Sequence, residues 1–131
     1  SWIAATRARD PEMLFNVTYP LNFSERWIAD NAEALETALD RYRTLDFDAF
    51  LEMLLCFSQL DVTAELHQIQ APALVMVGEE DLLKPRKYAE IIACEMPHAE
   101  LAVVPRAGHA VMWEQPDLFN TLMLGFLAKQ G

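Results

Sequence analysis

Two apolar runs of strand length, Ala73-Leu74-Val75-Met76-Val77 and Leu101-Ala102-Val103-Val104, constrain this chain more than any other feature. Neither alternates with polar residues, so neither predicts a wet face. Such runs are typical of strands in a parallel sheet covered on both sides. Between them lies a helical segment from Pro85 to about Met96, packing through Tyr88, Ile91 and Ile92 and ended by Pro97. Strand, loop, helix, strand, loop, helix is the βαβα unit of a parallel sheet. In such a sheet the loops that follow the strands share one rim. Each loop here carries a residue suited to proton chemistry: Asp81 in Gly78-Glu79-Glu80-Asp81, and His109 in Pro105-Arg106-Ala107-Gly108-His109.

Two strands alone leave two open edges and too few partners for their apolar faces. The sheet is therefore expected to be completed by residues absent from this sequence, by a second copy, or by another chain. If the chain folds by itself, a homodimer is expected, in which the apolar strands of two copies abut or helical elements are exchanged.

The first half reads as helical. Asp10-Pro11-Glu12 is a helix start, with Asp at the N-cap, Pro at the first helical position and an acid in the first turn. Pro20 is expected to stop that helix. Ser24 opens what reads as the longest helix, to Tyr42, with Trp27, Ile28, Asn31, Leu35, Leu39 and Tyr42 at helical spacing. Asp46 or Asp48 caps the next, with Phe47, Phe50, Leu51, Leu54 and Leu55 on one stripe. A turn of helix at Thr63–His67 leads to the first strand, and a last helix from Glu114 or Pro116 to Lys129 buries Phe119, Leu122, Met123, Phe126 and Leu127. The division falls near Gln68–Pro72, giving a helical segment 1–68 and an α/β segment 69–131.

Composition removes several function classes. Of the 131 residues, 53% are hydrophobic and the formal net charge is −10. The first figure excludes a disordered tail; the second argues against nucleic acid as a partner, since phosphate recognition needs a basic surface. No apolar run approaches the ~20 residues of a membrane span. No signal peptide, internal repeat, Gly-rich phosphate loop or His/Cys metal cluster is visible in these residues, and no cofactor or metal is expected. Cys56 and Cys94 sit in apolar helical contexts and are read as buried free thiols of a reducing, cytoplasmic compartment.

The pieces P-x-L-V-x-V-G-x-x-D (Pro72 to Asp81), Pro85, A-E-L-x-V-V-P-x-A-G-H (Ala99 to His109) and E-x-P (Glu114 to Pro116) closely resemble the last third of an α/β-hydrolase. The resemblance implies that Asp81 and His109 are the acid and base of a Ser-His-Asp triad, in the chain order Ser, Asp, His. Asp81 would orient and stabilise the imidazole; His109 would take the serine proton and return it to the leaving group. It further implies that the helical segment is a lid, with Met13, Phe47, Phe50 and Met53 available to line a pocket for a small apolar ester-like substrate. Stripes of this kind are more often plain core.

The family's nucleophile elbow, G-x-S-x-G, occurs nowhere in the sequence. Cys56 and Ser58 lie mid-helix, whereas a nucleophile needs an exposed, strained turn. The expectation is therefore an incomplete α/β-hydrolase fold acting on an ester or related acyl or C–C bond only in a longer parent, and inactive by itself. The competing expectation is a non-catalytic module that binds through its open strand edges. Among neighbouring residues, Glu79 and Glu80 are rival carboxylates expected to face solvent. His67 and His98 read as surface or capping residues, Trp113 as an anchor for the last helix or else a wall of the pocket, and Glu114 and Pro116 as a helix start. Gly108 either permits close backbone approach or takes positive φ.

Overall fold

The structure is a computed structural model and describes residues 2–131. The chain forms two compact units. One is the chain up to Pro20 with Glu25–Asp61; the other is Leu21–Ser24 with Val62–Gly131. The second begins earlier than the expected division because Leu66, in a 3-10 helix at Thr63–Gln68, is buried on the α/β side, where that turn packs against a later helix.

The helical unit contains α1 (Trp2–Ala8), most of α2 (Pro11–Asn22), α3 (Glu25–Asp30), α4 (Ala32–Arg43) and α5 (Phe47–Gln59). Asp10 caps α2 as the sequence predicts, its Oδ1 accepting from the Met13 amide at 2.9 Å. Pro20 does not stop α2, which continues to Asn22. A proline this close to the C-terminus removes one hydrogen bond without having to bend a long following segment. The single helix expected over 24–42 is two, broken at Asn31. The Asn31 side chain donates to the Trp27 carbonyl at 2.8 Å, and the Asn31 amide turns instead to Ile28 at 3.4 Å. A short polar side chain has thus taken the acceptor that its own backbone would have used to continue the helix. The longest helix is the C-terminal one.

Asp46, rather than Asp48, caps α5, accepting from the amides of Asp48 and Ala49 at 3.1 Å each. Phe47, Phe50, Leu51 and Leu54 are half-buried and Leu55 is exposed. The centre of this unit is Ala5, Leu14, Thr18 and Tyr19. Thr18 Oγ1 shares a hydrogen bond of 2.8 Å with the Tyr42 hydroxyl, and the Phe15 and Tyr42 rings meet edge to face. Met13 and Met53 are exposed.

The α/β unit contains β1 (Ala73–Gly78), α6 (Arg86–Glu95), β2 (Ala99–Val104), α7 (Val111–Glu114) and α8 (Pro116–Gln130). The strands pair in parallel, in register from Ala73 against Ala99 to Gly78 against Val104. Among the described residues the sheet has these two strands, so the fold is α/β with a narrow parallel sheet. Helix α6 packs against both strands and α8 against β2. The core gathers at the C-terminal end of β2, where Val104, Ala107 and Val111 are buried under Leu118, Phe119 and Leu122.

Away from that end, apolar residues expected to be covered are exposed. Leu101 in β2, Tyr88, Ile91 and Ile92 in α6, and Leu127 in α8 all face solvent, and α6 buries Ala89 instead. Two strands are too narrow to cover the helix faces that a wider sheet would bury. Cys56 and Cys94 are likewise exposed free thiols, which corrects the buried reading. An apolar neighbourhood in sequence does not bury a helical residue that lies off the core-facing stripe.

Candidate active site

Because the strands end together, with Gly78 opposite Val104, the loops that follow them emerge side by side. Two backbone bonds stitch them and a third closes the first loop on itself. The Glu79 amide donates to Val104 at 2.9 Å, the Glu80 amide to Ala107 at 2.9 Å, and the Asp81 amide to Gly78 at 3.3 Å. The approach is close enough that a Cβ at Gly78 would lie 2.0 Å from the Gly108 carbonyl oxygen and 2.3 Å from that of Ala107. Only a residue without a side chain fits there.

This places Asp81 beside His109. Asp81 Oδ2 lies 2.9 Å from His109 Nδ1, and Asp81 Oδ1 accepts from the Lys84 amide at 2.7 Å. The aspartate side chain is 4% exposed and the histidine side chain 40%. The carboxylate is therefore held in a protected turn and the imidazole reaches outward. A carboxylate oxygen accepts, so Nδ1 donates in this hydrogen bond, and a neutral imidazole in this arrangement keeps its lone pair on Nε2. That tautomer is the one required of a histidine that removes a proton from a nucleophile.

The rival carboxylates take other positions. Glu79 accepts from the Arg106 amide at 3.4 Å, in a turn where Arg106 adopts a φ of 56°, and Glu80 is exposed. His67 and His98 are exposed and stand apart from the pair. Trp113 is 63% exposed, so it is not an anchor for α8. Gly108 has no positive φ. It is needed for close approach, since a Cβ there would come within 2.7 Å of the Ser24 amide nitrogen and 2.8 Å of the Phe23 carbonyl carbon.

Glu114, read from sequence as a helix start, does more. Its Oε1 accepts from the Gly108 amide at 2.8 Å, and its Oε2 from the Ser24 amide at 3.1 Å. Sequence reasoning missed this role because the partner at Ser24 is 90 positions away. The available signal was an acid five residues after a Gly-His pair.

Among the described residues no cluster of His, Cys, Asp and Glu could hold a metal ion, and no helix is long and apolar enough to cross a membrane. The parallel strands, with an Asp loop after one and a His loop after the next, define an α/β-hydrolase arrangement. A family model described as the alpha/beta hydrolase family matches residues 1–122. The chain belongs to that family.

Among its relatives, the 2-hydroxy-6-oxo-6-phenylhexa-2,4-dienoate hydrolase of Burkholderia cepacia is 42% identical over 71 residues, covering 54% of this chain and 25% of the relative. An alpha/beta hydrolase enzyme from a Medee basin deep-sea metagenome library superposes with a TM-score of 0.88 at 26% identity, covering 97% of this chain and 48% of that one. The enol-lactonase of Burkholderia xenovorans LB400 superposes with a TM-score of 0.90 at 20% identity, a likeness of fold, over 97% of this chain and 48% of that one. The chain thus spans half or less of the length of the relatives it matches.

Proposed function

We propose that this chain carries the acid–base half of a Ser-His-Asp hydrolase, with Asp81 as the orienting acid and His109 as the general base. The observation that carries this reading is the 2.9 Å contact between Asp81 Oδ2 and His109 Nδ1, made by a protected carboxylate to an exposed imidazole. In the reaction, Nε2 of His109 takes the proton of a serine hydroxyl as it attacks the substrate carbonyl. The proton then passes to the leaving group, and water repeats the sequence to release the acid. Asp81 stabilises the imidazolium formed in each half. The substrate class is an ester or related acyl or C–C bond flanked by apolar groups. The similarity to a hydrolase of a phenyl-substituted dienoate supports a substrate with an apolar group. The helical segment is assigned the part of a cap, a role supported by the family resemblance.

The nucleophile and its oxyanion donors are not among these 131 residues, since no G-x-S-x-G occurs. An Asp-His pair without them has no serine to activate and no donors to stabilise a tetrahedral oxyanion. The chain alone is inactive in this reading. Assay with p-nitrophenyl acyl esters tests it: wild type and His109→Ala turn over at the same background rate. Turnover by wild type that disappears in His109→Ala would contradict the assignment of the nucleophile to residues outside this sequence.

A second reading rests on the two-stranded sheet, whose exposed Leu101 lies beside an open edge. In it, the strands of one copy associate with those of another through their unpaired edges.

A further inference from the structure

We propose that Glu114 is a positioning residue for His109, fixing the backbone on which the imidazole is carried. The proposal rests on the reading of Asp81 and His109 as an acid–base pair and adds a residue to it. Both neighbours of His109 are held through their amides. Gly108 donates to Glu114 Oε1 at 2.8 Å, and Ala110 donates to the Asn22 carbonyl at 2.8 Å. Glu114 also accepts from the Ser24 amide, at 3.1 Å through Oε2 and 3.3 Å through Oε1.

One carboxylate therefore ties the histidine loop to the segment 21–24, and that segment in turn holds the other side of the loop. Gly108 is wedged into this junction, where a Cβ would come 2.9 Å from Glu114 Oε1. The 40% exposed His109 side chain has little packing to hold it, so its place depends on a fixed backbone and on Asp81. A charged acceptor makes a stronger and shorter bond to an amide than a neutral one. Glutamine at 114 would offer one acceptor oxygen and two N–H donors. It could no longer serve the Gly108 and Ser24 amides with separate anionic oxygens. A general base displaced by even 1 Å loses much of its effect, which gives the contact a consequence for chemistry as well as for folding.

The test is ¹⁵N NMR of Glu114→Gln and Glu114→Asp, reading amide exchange at Gly108 and Ser24 and the ring nitrogens of His109. Glu79→Gln, a carboxylate of the neighbouring loop, is the control. In Glu114→Gln, exchange at Gly108 and Ser24 rises by about tenfold or more, and the His109 ring moves from a single Nδ1–H pattern towards a tautomer average. Glu114→Asp, which keeps the charge but is one methylene shorter, falls between the two and covers the case in which the Gln variant does not fold. Glu79→Gln leaves both signals in place.

Unchanged exchange at Gly108, or raised exchange with an unchanged His109 ring pattern, would overturn the positioning role. Asp81→Asn in the same spectra keeps the two readings apart. An unmoved ring there removes the acid–base pair, while the Gly108 amide still reports on Glu114 independently.

Discussion

Asp81 divides its carboxylate between two tasks: Oδ1 accepts from the Lys84 amide at 2.7 Å and Oδ2 faces His109 Nδ1 at 2.9 Å. One oxygen closes the turn that leads to α6, and the other meets the imidazole. The acid is thus part of its own loop's structure before it does anything for the histidine. This explains why it is buried while its partner is not.

The two members of the pair should therefore differ in what they contribute to stability. Asp81→Ala strips the Lys84 amide of its acceptor in a protected turn and is expected to cost about 1–3 kcal/mol. His109→Ala removes a side chain with substantial exposure and is expected to cost no more than about 1 kcal/mol. Urea denaturation of both variants checks the order; a larger loss for His109→Ala would mean that Asp81 is not structural in this way.

Gly78 is the closest meeting point of the two loops. Gly78→Ala would force its Cβ against two carbonyl oxygens that belong to backbone and cannot rotate away. We expect a loss of about 3 kcal/mol, at the upper end of overpacking costs. Gly125, with open space around the position of a Cβ and an α8 helical backbone, is the contrasting site. There Gly125→Ala should gain roughly 0.5–1 kcal/mol from helix propensity. Thermal unfolding of the pair gives both signs in one experiment.

The junction of α1 and α5 carries a pH dependence. The Arg9 guanidinium hydrogen-bonds Asp48 and holds its carboxyl below the ordinary value of 3.8. A carboxyl depressed in the folded state contributes stability above its unfolded pKa and loses it as pH falls through the folded one. The difference in melting temperature between wild type and Asp48→Asn is therefore expected at pH 5 and above, and to shrink as the solution is acidified below the ordinary value. Melting curves from pH 6 to pH 2 measure it. The pair is fully exposed, so the effect is small and weakens further with salt. A difference that grows on acidification would have the wrong sign.

Sequence periodicity located the parallel strands because both are continuous apolar runs; Asp81 and His109 stand out through the family resemblance of the loops that follow those strands. Periodicity failed where a single side chain or a distant partner decided the outcome. Asn31 broke a helix by capturing the Trp27 carbonyl, a choice that periodicity does not encode. Glu114 found Ser24 across 90 positions. Tyr88, Ile91 and Ile92 follow the apolar pattern of a buried face, yet a two-stranded sheet is too narrow to cover them. Burial depends on what the rest of the fold supplies, and no local pattern reports that.

That uncovered surface leads to an expectation about assembly. Light scattering at several concentrations should give a mass near twice 14.9 kDa, with Leu101→Lys shifting it towards the monomer by placing a charge beside the open edge. A concentration-independent monomer would remove the association reading and leave the two strands covered by their own helices.

The central claim is that Asp81 sets the protonation pattern of His109 for base chemistry. Long-range ¹H–¹⁵N spectra of the imidazole, in wild type and Asp81→Asn near neutral pH, test it most directly. The account predicts a ring held as the Nδ1–H tautomer in the wild type. In Asp81→Asn, where an amide replaces the carboxylate, that preference is lost and the two nitrogens move towards an averaged pattern. A His109 ring that is tautomerically mixed in the wild type, or that does not respond to Asp81→Asn, would contradict it.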